Sequence, residues 1–167
     1  TGMGMPVSTW VEVDLDRFTS NLRAVRTLVE TGRTPNAPAR GILLVVKADA
    51  YGHGAVEIAE AAAAEGVACL GVATLHEGIQ LRQAGCRLPI VALSPLLPSE
   101  IREAVAHSLD PTVCDLTFAR ELSAEAVRTG RAVRVHVEVD TGMGRTGVGE
   151  GEAEAFLGAV AALPGLR

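Results

Sequence analysis

The residues best equipped for chemistry lie in the stretch Gly41–Gly54, GILLVVKADAYGHG, where Lys47 ends an unbroken apolar run and a glycine-punctuated turn follows at once. A lysine delivered by a buried strand, with its pKa lowered by burial or a nearby cation, presents a free amine suited to Schiff-base formation with a carbonyl compound. A lysine at a strand end also reaches solvent along its own stem, so its neighbours decide between the two. Gly52 and Gly54 relax the backbone ahead of a helical pattern starting at Ala55, and a helix N-terminus offers unpaired N–H groups favourable to an anion such as phosphate. Tyr51, the only tyrosine of the chain, adds a hydroxyl donor. An amine that condenses with an aldehyde, beside a phosphate-binding turn, suggests pyridoxal phosphate; taken alone it also admits an aldolase-type lysine. His53 reads as a turn or packing histidine.

The second motif is Asp140–Gly147, DTGMGRTG. It holds a formal GxGxxG (Gly142, Gly144, Gly147), but the acid that a dinucleotide site needs about 20 residues further on is missing around Gly158–Leu163. The glycines therefore mark a tight turn. The residue of interest within it is Arg145, whose guanidinium suits a carboxylate or phenolate.

Positioning these residues requires a repeated strand–helix order, and the chain supplies one. Apolar runs at Ile42–Val46, Ala68–Ala73, Pro89–Leu93, Asp110–Val113 and Val133–Val139 read as strands. Between and after them come helical patterns at Ala55–Glu65, Leu75–Ala84, Ser99–His107 with Ser99 as cap, Leu116–Thr129 closed by Gly130, and Glu150–Leu163 stopped by Pro164-Gly165. Such alternation calls for parallel βαβ units with right-handed crossovers. In the last strand Val133, Val135, Val137 and Val139 share one face, while Arg134, His136, Glu138 and Asp140 share the other. Strands covered by helices on both faces tend to be apolar throughout, so this alternation favours a (β/α)8 barrel over an open doubly wound sheet. A whole barrel takes about 250 residues; residues 41–167 are expected to form its first five βα units, with a sixth strand due at Leu166-Arg167. Ahead of them, residues 8–40 are expected to form a lead-in strand over Thr9–Leu15, a helix over Asp16–Glu30 closed at Thr31-Gly32, and a linker. Residues 1–7 are expected to be a non-native or disordered start.

Composition bounds the rest. Net charge −5 and 48% hydrophobic residues fit a folded α/β protein and argue against nucleic acid or an anionic membrane as partner. No apolar run reaches the roughly 18–20 residues that span a bilayer, and no signal peptide is evident, so the expected location is cytoplasmic. Cys69, Cys86 and Cys114 are widely spaced and form neither a disulfide framework nor a zinc motif.

VVKADAYGHG followed by HVEVDTGMGRTG resembles the alanine racemases, pyridoxal-phosphate enzymes with an amino-terminal (β/α)8 barrel and a mostly β carboxy-terminal domain; ATLHEGIQLRQAG and PIVAL are similar as well. The resemblance implies that Lys47 carries the cofactor and acts as base on one face of Cα, that Tyr51 binds its phosphate and Leu93 lines its pocket, and that Arg145 contacts the phenolic oxygen and the substrate carboxylate. It further implies an amino-acid substrate, a homodimer in the full-length form, and a first strand that joins the carboxy-terminal β domain. Many members carry a lysine, often carbamylated, where this chain has Glu138; Glu138, facing the same interior as His136, is expected to hold Arg145 directly. The family's second base, a partner-subunit tyrosine, and its pyridine-facing arginine fall outside the matched residues, so these 167 residues alone are expected to be inactive. A non-catalytic cofactor-binding barrel, a related decarboxylase and an interaction module are the alternatives.

Overall fold

A computed structural model describes residues 9–31, 33–34 and 37–167; the expectations for residues 1–7 and for Gly32 lie outside these. After helix α1 (Leu15–Glu30) come β1 (Leu43–Val45), a turn at Lys47–Gly52, α2 (Ala55–Ala64), β2 (Cys69–Val72), α3 (Leu75–Gln83), β3 (Ile90–Ala92), α4 (Ile101–Ala106), β4 (Asp110–Val113) and α5 (Leu116–Thr129). Strands β5 (His136–Val137), β6 (Val139–Asp140) and β7 (Val148–Gly149) and helix α6 (Ala153–Ala161) complete the order. Strands β1 to β5 form one parallel sheet in sequence order, the arc expected of the first five units of a barrel.

The register explains which face is dry. Leu70, Val72, Ile90, Ala92 and Val113 are buried on the side turned to the helices, and Ile58, Ala59, Ala62, Leu81, Ala104, Val105 and Leu122 pack against them. On the other face Val45, Gly71, Val91 and Asp110 are aligned strand to strand, and Thr112 is paired with His136. Gly71 leaves room there: a Cβ would lie 2.9 Å from both Leu43 and Leu93 side chains. Helix ends follow local chemistry. Asp115 caps α5 through the N–H of Phe118 at 2.8 Å, and Gly130 closes it in the left-handed region, φ 65°.

Two expectations are corrected. A third concerns Thr9–Leu15: Trp10 and Val11 are 78% and 80% exposed, and Asp14 caps α1 by accepting from the N–H of Arg17. A strand needs a neighbour to receive its ladder, and the neighbour expected for this segment, a carboxy-terminal β domain, is not among the described residues. Ser99 is not a cap; a 3₁₀ turn at Pro98–Glu100 precedes α4, and the Glu100 carboxylate accepts from the N–H of Leu97. Val133–Val139 is not one strand but changes partners along its length. Its start pairs with Leu166, through Val133 N–H to the Gly165 carbonyl and Arg167 N–H to the Val133 carbonyl. Its middle joins β4 and its end pairs with β7. The pairing at Leu166 is where the sixth strand was due.

Candidate active site at the carboxyl ends of the strands

In a parallel sheet all carboxyl ends lie on one rim, and side chains that end several strands converge there. Lys47 follows β1, Leu93 follows β3, and Glu138 and Asp140 follow β5. Lys47 is half-buried, and its Nζ stands 6.0 Å from the centre of the Tyr51 ring. Tyr51 is 61% exposed, so its hydroxyl is open to a ligand. Leu93 is half-buried over Gly71 and holds the rim through its N–H to the Val72 carbonyl.

The backbone after Lys47 is not what an Ala/Asp/Tyr segment predicts. Ala48, Asp49, Ala50 and Tyr51 all have positive φ, between 51° and 55°, and make a left-handed turn. For L-residues this costs roughly 1–2 kcal/mol each, so the surroundings must hold it. Within the segment Ala50 N–H donates to the Val46 carbonyl and His53 N–H to that of Asp49. Gly52 and Gly54, at φ 83° and 87°, return the chain to α2. The helix start is not open to an anion as the sequence suggests: the Asp49 carboxylate takes the N–H of Ala55 at 2.7 Å.

The glycine loop is wrapped on an acid as well. Asp140 accepts from the N–H groups of Gly142 and Gly144, at 2.9 Å or slightly more, and Gly147 passes so close that a Cβ would fall 2.7 Å from the Asp140 nitrogen. The N–H groups that a dinucleotide would need are therefore already used. Arg145 is exposed and has no ion-pair partner among the described residues. Glu138 does not hold Arg145: its Oε2 accepts from the hydroxyl of the next residue, Thr146, at 2.8 Å. His136 is exposed on the open face beside Thr112. Asp49, Asp140 and Thr146 were not singled out from the sequence; the Asp two residues before a glycine was the available signal for Asp140.

The N–H donors of Gly144 and Gly142 hold the Asp140 carboxyl below its ordinary range. A carboxylate depressed in the folded state stabilises the loop above its unfolded pKa and stops doing so as pH falls through the folded value. The amide protons of Gly142 and Gly144 are thus expected to shift together in an NMR pH titration with a midpoint below the usual range for aspartate, and Asp140→Asn should remove that titration. A midpoint at or above the ordinary aspartate value would refute the wrapped loop.

The family profile described as alanine racemase, N-terminal domain, matches residues 13–167. An alanine racemase of Synechocystis is 41% identical over 159 residues, which cover 95% of this chain and 41% of that protein. The solved alanine racemase of Clostridium difficile 630, in complex with cycloserine, superposes with TM-score 0.85 at 33% identity, over 98% of this chain and 43% of that one. A histidine racemase from Leuconostoc mesenteroides subsp. sake matches with TM-score 0.78 at 25% identity, over 91% and 39%. The chain therefore spans about two fifths of the length of these relatives, and no described helix is long and apolar enough to cross a membrane. With the matched profile running across the whole sheet and both motifs, the chain belongs to the alanine racemase N-terminal domain family.

Proposed function

We propose that this chain is the cofactor-bearing part of a cytoplasmic, pyridoxal-phosphate-dependent alanine racemase that works as a homodimer. The observation that carries this is the position of Lys47, the chain's only lysine, on the carboxyl rim of a parallel sheet in a turn built from four left-handed residues. Backbone strain of this kind persists where the surroundings over-determine it, and it clusters at functional sites. The residues present fit the cofactor: a half-buried primary amine, a neighbouring phenol and an apolar wall at Leu93 stand on one rim.

In this reading Lys47 would hold the cofactor through its amine, and its Nζ would take or return the proton at the substrate Cα on one face. The Tyr51 hydroxyl would hold the phosphate, Leu93 would bound the ring, and Arg145 would read the phenolic oxygen and the substrate carboxylate. Glu138 supports Arg145 through Thr146, with His136 beside it on the open face. Pyridoxal phosphate supplies the electron sink that makes the Cα proton removable.

Titration with pyridoxal phosphate is expected to give a visible absorbance band that borohydride abolishes, leaving one pyridoxyl group per chain by mass. D- or L-alanine should alter the band, and L-histidine, run in parallel because a histidine racemase shares the fold, should alter it less. Absence of both band and mass gain would overturn the cofactor assignment, and a stronger response to histidine would overturn the substrate.

A further inference from the structure

We propose that Glu77 is the positioning residue for Lys47; this rests on the reading of Lys47 as the cofactor lysine. Glu77 lies in the first turn of α3, where Thr74 and Glu77 form a reciprocal capping box. A cap alone would engage the N–H of Thr74. The Glu77 carboxylate does more. Its Oε2 accepts from the N–H groups of Ala73 at 2.7 Å and Thr74 at 3.1 Å, while its Oε1 reaches across to the N–H of Ala48 at 2.7 Å. Ala48 directly follows Lys47 and is the first left-handed residue, φ 51°.

Most hydrogen bonds of this turn run within it, from Ala50 to Val46 and from His53 and Gly54 to Asp49. They close the turn on itself, while buried Ala50 and the Asp49 carboxylate on the Ala55 N–H hold its far side against the core and α2. The last sheet contact before it is the N–H of Val46 on the Gly71 carbonyl. Past that point the half-buried Glu77 carboxylate joins the turn to the loop that leaves β2. One side chain so clamps the peptide after Lys47 to the end of the neighbouring strand, and with it fixes where the Lys47 Cα sits and which way its amine leaves the sheet.

The test compares Glu77→Ala with Thr74→Ala, which removes the capping hydroxyl but leaves the Ala48 contact. Two quantities are read in the full chain: hydrogen exchange at the Ala48 amide, and the limiting rate of borohydride-fixed pyridoxyl incorporation at saturating pyridoxal phosphate. Misplacement of a reacting group on the ångström scale is expected to slow incorporation about tenfold in Glu77→Ala, with Ala48 exchange faster by a similar factor and Thr74→Ala within about twofold of wild type in both. Glu77→Gln, which keeps one acceptor oxygen, should fall between, and it carries the test if the alanine variant does not fold. Unchanged Ala48 exchange in Glu77→Ala or Glu77→Gln overturns the clamp. Equal slowing in Thr74→Ala reduces Glu77 to a helix cap and overturns the positioning role. If wild type incorporates no pyridoxyl group while Ala48 exchange still quickens in Glu77→Ala, the cofactor reading falls and the clamp stands.

Discussion

Replacing Lys47 by alanine is expected to reduce borohydride-fixed pyridoxyl incorporation at least about a hundredfold, because no other side chain in this protein offers a primary amine to an aldehyde. Of the 15 basic residues Lys47 is the one lysine and the others are arginines, which stay protonated at any working pH and cannot condense. The remaining amine, at the chain terminus, is separated from Lys47 by peptide mapping. Stability should move little, by about 1 kcal/mol or less, since Lys47 is half-buried and makes no ion pair among the described residues. Lys47→Arg keeps the charge and should behave like the alanine variant. Stoichiometric labelling that persists in either variant would remove Lys47 from the proposed role.

Arg82→Met should cause a large loss of stability. The guanidinium, half-buried at the amino-terminal ends of the strands, donates to four carbonyls: Cys86 and Leu88 in the loop entering β3, and His107 and Ser108 in the loop entering β4. Methionine keeps the apolar stem but leaves those acceptors without their charged donor. Each such bond is worth on the order of 1 kcal/mol net, so the expected cost is about 2–4 kcal/mol. For a chain of this size that lowers the melting temperature by roughly 6–12 °C. Arg120→Met, at an exposed arginine, is the control and should stay within about 0.5 kcal/mol. Equal effects of the two on urea or thermal unfolding would show that the Arg82 contacts contribute nothing. Being on the rim opposite Lys47, Arg82→Met should leave pyridoxyl incorporation intact wherever the chain is folded.

Much of the scaffold was legible because it is local. The apolar runs that became β1 to β4, the helix over Leu116–Thr129 and its left-handed closure at Gly130 depend on periodicity and on glycine, properties of a few adjacent residues. The alternation of Val133 to Val139 against Arg134 to Asp140 also told which side chains face the open interior, and the valines are the more buried set. The same alternation at Thr9–Leu15 has no partner among the described residues, and its expected partner is a carboxy-terminal β domain. Pairing is a long-range property.

By itself the sequence determined the parallel strand–helix order, the family, and which residues could do chemistry on the carboxyl rim. Tertiary structure alone decided how those residues are held. No propensity places Ala48, Asp49, Ala50 and Tyr51 in the left-handed region; contacts across the chain do, including one from Glu77, 29 positions away. Nor does spacing show that Asp49 fills the helix start expected to bind phosphate, or that Glu138 meets Thr146 instead of Arg145. Carboxylates near a glycine turn have several N–H and hydroxyl donors within reach, and which they take is settled by where the folded backbone points them.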